Sequence, residues 1–318
     1  MNLNPFGMNS LPSQSALETA GSGAAQIAQL FYVMVAGAVV IWAVVIGLAV
    51  YALWRPGRHD PRSTRLLVIG GGAVMPTVVL TGLLFYGLSF LPELQRPAPE
   101  GSQVIDVSGA RFWWRVAYRL PDGRSVEAAN EIHLPAGEAV EFKLTSEDVI
   151  HSFWIPSLGG KVDMIPSREN RLKLHPQVPG RYRGVCAEFC GASHAHMAFD
   201  VVVHPRERFD RVLAELAQPA TPPEDPQTRA GQAAFLSLGC GACHQIRGTQ
   251  AAGRLGPDLT HFGSRLSIGA GELRNTPENL RHWITRTHDI KPGVEMPAFE
   301  NLEADELEAL VAYLEHLR

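Results

Sequence analysis

The chain has 318 residues, 46% of them hydrophobic and 19% charged, which is enough for more than one packed domain. Its net charge of −4 offers no basic surface for nucleic acid. If its four cysteines, Cys186, Cys190, Cys240 and Cys243, serve two metal centres, none is left for a disulfide, so the lack of one does not exclude an oxidising compartment.

Residues 1–26 are polar, rich in Pro, Gly and Ser, and lack the basic segment of a secretory signal. Two uncharged runs follow, Phe31 to Trp54 and Leu66 to Pro92. Each can cross a hydrocarbon core of about 30 Å at about 1.5 Å rise per helical residue. Gly70, Gly71, Gly72 and Pro76 would weaken a soluble helix but are tolerated in membrane helices. Between the runs, Arg55, Arg58, Arg62 and Arg65 mark the cytoplasmic side. A transmembrane helical hairpin is predicted over residues 27–96, with the N-terminus and everything after Pro92 outside. The alternative, a buried hairpin of a soluble core, fits poorly with such long uncharged runs.

Residues 97–207 change character. Gln103–Val107, Phe112–Tyr118, Ser125–Ala128, Glu131–Leu134 and Ala139–Leu144 are short and rich in β-branched and aromatic residues. Pro121-Asp-Gly123 and Pro135-Ala-Gly137 mark turns between them. With later strands at Arg171–Leu174, Gly180–Gly184 and Met197–Val203, a β-sandwich is predicted.

The stretch Cys186 to Met197 carries two thiols, the imidazole of His194 and a thioether. Thiolate, thioether and imidazole together suit copper, and a rigid sandwich with ligands on its end loops suits electron transfer. A zinc site, a disulfide or an incidental cluster are the bland readings. One more ligand should come from an upstream loop. His151 is placed for it, after a strand and before Pro156, but His133, His175, His196 and His204 compete on pattern alone.

A short helix from Arg206 to Gln218 leads into the linker of residues 208–227, whose Pro-rich tether, Pro219 to Pro226, is expected to be extended and to separate two domains. Residues 228–318 open with a predicted helix ending at Cys240-Gly-Ala-Cys243-His244, the c-type haem attachment signature. Met296, in Lys291-Pro-Gly-Val-Glu-Met296-Pro297, is the candidate second axial ligand. His261, His282 and His288 are its rivals. The last helix places Leu307, Leu310, Val311, Leu314 and Leu317 on one face for the domain's own core.

The spacing C-x-E-x-C-x-x-x-H-x-x-M resembles the dinuclear CuA motif of cytochrome c oxidase subunit II, and Val149-Ile-His151-Ser-Phe153-Trp-Ile-Pro156 resembles that family's upstream copper element. With the C-terminal haem signature, nearly the whole chain from about Ala24 resembles subunit II of a caa-type oxidase with a fused cytochrome c. The resemblance implies a multidomain chain: a transmembrane α-helical hairpin, a cupredoxin-like β-sandwich and an all-α class I cytochrome c domain. It implies Cys186 and Cys190 as bridging thiolates, His151 and His194 one on each copper, Met197 as a weak ligand and Glu188 through its carbonyl. It places the Glu188 side chain near a Mg or Mn ion at the border with subunit I. It implies thioether links at Cys240 and Cys243 and axial ligation by His244 and Met296.

Asp163, in a Gly160–Arg168 element similar to one that faces subunit I, is a candidate for that interface. Phe112 and Trp113 resemble the aromatic stretch that receives electrons from cytochrome c. No Asp or Glu lies between Asp60 and Glu93, whereas many members carry a Glu there for proton uptake. The implied function is transfer of electrons from cytochrome c, through the fused haem and CuA, to haem in subunit I. The oxygen site then lies in another subunit, where reduction to water is coupled to proton translocation. The implied partners are subunits I and III, cytochrome c and membrane lipid. The implied location is a bacterial inner membrane, with both metal domains outside. The alternatives are a CuA-containing subunit of a nitric oxide reductase and a membrane-tethered copper carrier or assembly protein.

Overall fold

The computed structural model describes residues 12–54, 57 and 60–318, in two compact units. Residues 1–11 of the predicted external segment, and Arg55 and Arg58 of the predicted cytoplasmic loop, lie outside the described residues.

The unit Ala25–Arg96 is helical. Helix α1 is Ser22–Trp54. The second span runs through α2 (Pro61–Leu66), π-helical turns at Leu67–Val74, α3 (Met75–Leu88) and α4 (Leu91–Leu94). The Asp60 side chain caps α2 by accepting the Ser63 N–H at 3.2 Å. The three consecutive glycines fall in the π turns, where bare backbone can widen. Widening just ahead of Pro76 relieves the clash a proline ring makes with the carbonyl four residues back. Both spans are long and apolar enough to cross a membrane.

The other unit holds two sheets and a helical domain. The strands are β1 (Gln103–Ala110), β2 (Trp113–Arg119), β3 (Ser125–Ala129), β4 (Glu131–Pro135), β5 (Val140–Ser146), β6 (His151–Trp154), β7 (Val162–Met164), β8 (Asn170–Leu174), β9 (Gly180–Cys186) and β10 (Ala198–His204). One sheet has the order β3-β2-β1-β5-β8, the other β4-β10-β9-β6-β7. Burial alternates along β1, β2, β5 and β9, the period-two pattern of a half-buried strand. Trp114, Phe142, Phe153 and Phe199 fill the space between the sheets, with Phe153 stacked on Phe199 at 4.9 Å. Strands β6 and β7 escape the sequence reading because three or four residues are too few to show a period. His151, expected in a loop after a strand, opens β6.

Part of the N-terminal segment lies along this sandwich. The Ala20 N–H donates to Ser157 O, and Ala20 O accepts from Gln177, each at 2.7 Å. All seven residues of β10 are buried, because its outer side is also covered. Helix α5 (Arg206–Leu216) packs there, and so does the C-terminal domain, whose Ala270 O accepts the Ala198 N–H.

That domain comprises α6 (Pro226–Ser237), α7 (Cys240–Cys243), a two-residue-stranded hairpin β11 (Ser267–Ile268) and β12 (Leu273–Arg274), α8 (Pro277–Thr285), α9 (Thr287–Ile290) and α10 (Ala304–His316). Helices α6 and α10 meet at Gly231, where a Cβ would come within 1.9 Å of Ala309 O. The predicted stripe is buried at Leu310, Val311, Leu314 and Leu317, with Leu307 packed against it.

The Pro-rich tether does not hold the two domains apart. Ala220 N–H donates to Arg247 O at 2.9 Å and the His316 ring meets Thr221 O at 3.1 Å, so the tether lies along the C-terminal domain. The domains touch directly. Glu131 accepts the Leu266 N–H at 2.8 Å and Asp200 accepts the Ser267 hydroxyl at 2.6 Å. Composition alone reveals the stiffness of such a segment but not the hydrogen bonds that join the domains it links.

Candidate metal centres

Strand β9 delivers Cys186, the next loop carries Cys190 and His194, and Met197 sits just before β10. The two sulfurs lie 3.9 Å apart. His151 Nδ1 is 3.8 Å from Cys186 Sγ, and His194 Nδ1 is 3.6 Å from Cys190 Sγ. Met197 Sδ lies 3.8 Å from Cys190 Sγ, and the Glu188 carbonyl oxygen 3.2 Å from Cys186 Sγ. Each sulfur thus faces one imidazole nitrogen, with a thioether and a carbonyl completing the group. His151, both cysteines and Met197 are buried, so the donors cannot splay into water. Such a cluster of soft donors fits copper better than a hard cation.

Asp148 supplies something the sequence reading left out. Its Oδ1 lies 2.8 Å from His151 Nε2, so that nitrogen holds the proton and Nδ1 is left facing the sulfurs. The signal was present as an acid three residues before the histidine. Burial works against charge on His151, but its contacts with Cys186 and Asp148 outweigh that and raise its pKa. Cys186 is held well below the usual thiol range, first by the neighbouring Cys190 sulfur, against burial, and then by His151. The second thiol of so close a pair is held up by the first.

The rival histidines have other partners. His133 sits 3.1 Å from Glu131 and 2.9 Å from His204. His196 Nδ1 lies 2.8 Å from Glu272 of the C-terminal domain. His175 offers its carbonyl to the Ser22 N–H. The Glu188 side chain is exposed. Asp163 accepts hydrogen bonds from Ser152 at 2.8 Å and Lys161 at 3.1 Å, which hold its carboxyl below the usual range.

A cavity of about 390 Å³ forms the second candidate centre. Cys240, Cys243, His244 and Met296 all line it, among apolar walls that include Leu259, Phe262 and Trp283. The described His261, His282 and His288 do not line it, and the His261 ring instead meets Gln218 O at 3.1 Å. His244 Nδ1–H donates to Pro257 O at 2.8 Å, which leaves Nε2 free to face the cavity. Burial keeps this imidazole below its ordinary pKa, hence neutral and able to ligate. At Gly256 a Cβ would come within 2.6 Å of the His244 ring, so only glycine allows that approach. Two thiols, an imidazole and a thioether around an apolar cavity fit a covalently held haem.

Arg111, Phe112 and Trp113 of the sandwich line the same cavity. Phe112 is buried and its ring also lies against Gly191, beside Cys190. Phe112 therefore stands between the cavity and the Cys186–Met197 loop, while Trp113 lines the cavity alone. Trp114, next along, is fully buried core.

Residues 115–204 match the family described as cytochrome c oxidase subunit II, periplasmic domain, and residues 228–318 match cytochrome c. The chain is 37% identical over 225 residues to cytochrome c oxidase subunit 2 of Alkalihalophilus pseudofirmus, covering 70% of this chain and 64% of that protein. It is 34% identical to the subunit 2 of Bacillus sp. strain PS3, covering 68% of this chain and 62% of that one. The matches thus span a little under two thirds of these two relatives. With the subunit 2 of Bacillus subtilis the identity is 30% over 263 residues, 77% of this chain and 73% of that protein. Together with the fold and the donor clusters, these likenesses show that the chain belongs to the cytochrome c oxidase subunit II family, in the form that carries a C-terminal cytochrome c domain.

Proposed function

We propose that this chain takes electrons from a cytochrome c and delivers them to subunit I of a respiratory haem–copper oxidase. The observation that carries the reading is the convergence of six donor groups from two separate segments on one buried point. Cys186 and Cys190 would bridge two copper ions, His151 and His194 would each hold one, and Met197 and the Glu188 carbonyl would complete the set. Cys240 and Cys243 would attach haem, with His244 and Met296 as axial ligands. Bound copper and haem would supply one-electron redox chemistry.

The residues of the chain do the rest. Asp148 holds the His151 proton at Nε2, and Pro257 O holds that of His244 at Nδ1. The sandwich keeps the copper donors fixed and dry, so little rearranges when charge changes. Phe112 and Trp113 would carry electron density between the two sites. Asp163 and the exposed Glu188 carboxylate would face subunit I, the latter at a shared Mg or Mn ion. With no acid between Asp60 and Glu93, proton uptake would fall to partner subunits. Subunit III and bilayer lipid would flank the helices. Both metal domains would lie outside a bacterial inner membrane, on the side opposite the arginine-rich loop.

Metal analysis of purified chain tests this. Two copper ions and one haem iron per chain, with near-infrared CuA bands beside a c-type haem spectrum, are expected. One copper or none, with Cys186 and Cys190 reduced and accessible, would overturn it. The sequence of the associated catalytic subunit separates oxygen from nitric oxide as the terminal acceptor.

A further inference from the structure

Lys291 is 1% exposed, which is rare for a lysine without partners. Its Nζ donates to His196 O at 2.7 Å and to Gly269 O at 2.6 Å. The first acceptor belongs to the copper loop, between His194 and Met197. The second belongs to the C-terminal domain. Lys291 also lines the cavity that holds His244 and Met296, and begins the loop that presents Met296.

Other ties gather on the same few residues. The Ser193 hydroxyl, fully buried, donates to Pro292 O at 2.6 Å. The ring of His196 meets Glu272 at 2.8 Å. Val294 packs against the sandwich core, and Phe112 lies between Gly191 and Gly293.

We infer that Lys291 is a positioning residue for electron transfer: it pins the haem-ligand loop to the copper-ligand loop and so fixes the separation of the two centres. This rests on the ligand assignment proposed above. A lysine serving only the fold of its own domain would find its acceptors there, but one of these two lies across the boundary. Removing the amino group leaves the His196 and Gly269 carbonyls without that donor, and the loops are then free to part. Electron transfer falls steeply with distance, so a small parting is enough to slow it. The domain works docked, which its tether alone would not ensure.

The test uses the full chain with Lys291→Met and, as a milder change, Lys291→Gln. Two quantities are read. One is the rate at which an electron placed on haem by flash photoreduction appears on copper. The other is hydrogen exchange of a peptide covering 193–198, whose Ala198 amide bonds to Ala270 across the boundary.

Lys291→Met is expected to lower the rate, and to speed exchange in 193–198, each by about tenfold or more, as loss of two buried hydrogen bonds implies. Exchange in 199–203 and both metal spectra should stay unchanged. An unchanged rate, or unchanged exchange, in chains loaded with both metals overturns the inference. Loss of either metal in both variants also overturns it, because the residue would then be needed for assembly rather than position. Should the unaltered chain itself lack the copper spectrum, the proposed function fails instead, and exchange in the unloaded chain still decides whether the clasp exists.

Discussion

Asp148 decides which nitrogen of His151 faces the sulfurs, and it does so from outside the ligand set. Asp148→Ala should let the ring turn or change tautomer. Copper affinity is expected to fall about 10–100-fold, the usual cost of losing such a partner. Competitive chelation measures this, and the haem spectrum should not move. Cys190→Ser acts on the donor set itself. It removes one of the two sulfurs proposed to bridge copper and should abolish the paired-copper spectrum, leaving one copper or none by metal analysis with haem content intact. The sequence disclosed Cys186, Cys190, His194 and Met197 because they share one short run. It could not select His151 without the family resemblance, since strand pairing, not spacing, brings that ring to a cysteine 35 residues away. Lys291 was visible only as part of a constrained loop, and the destination of its ammonium is a property of the folded boundary.

Two elements carry predictions of their own. Helices α6 and α10 approach so closely at Gly231 that Gly231→Ala must push them apart. A cost of about 1–3 kcal/mol is expected for such overpacking, read as a lower thermal midpoint of the C-terminal domain. Strands β4 and β10 bring His133 and His204 to 2.9 Å. Burial, then the neighbouring His133, push His204 down to about 4. Its unfolded value is about 6.5, so between these limits the unfolded chain binds more protons and stability falls as pH drops. The loss is on the order of 2–3 kcal/mol across that window. Asp200, raised by burial, works the other way in the carboxylate range. His204→Gln should flatten the decline relative to the parent chain, and equal slopes in the two would refute the assignment. Long strands such as β1 and β10 were legible from residue type. The π turns were not, because glycines announce only weakness in a helix and not how it is used.

At the scale of the molecule, two separate apolar clusters stabilise the sandwich and the cytochrome domain. Much of the contact between them is polar: Glu131 with Leu266, Asp200 with Ser267, Arg183 with Gly271, His196 with Glu272. Interfaces of this kind form between domains that can each fold alone. Removing residues 228–318 returns Glu131, Asp200 and Arg183 to water, which solvates them, rather than stranding them in a dry core. The shortened chain should therefore keep its copper and unfold within about 5 °C of the copper domain's midpoint in the full chain. Function should respond differently. A docked donor acts at high effective concentration, and a diffusing one must find the same face unaided. Oxidation of cytochrome c by an oxidase assembled with the shortened chain is expected to fall by about tenfold or more. Steady-state oxygen uptake measures this, and an undiminished rate with copper retained would show that electrons reach the copper loop without the C-terminal domain.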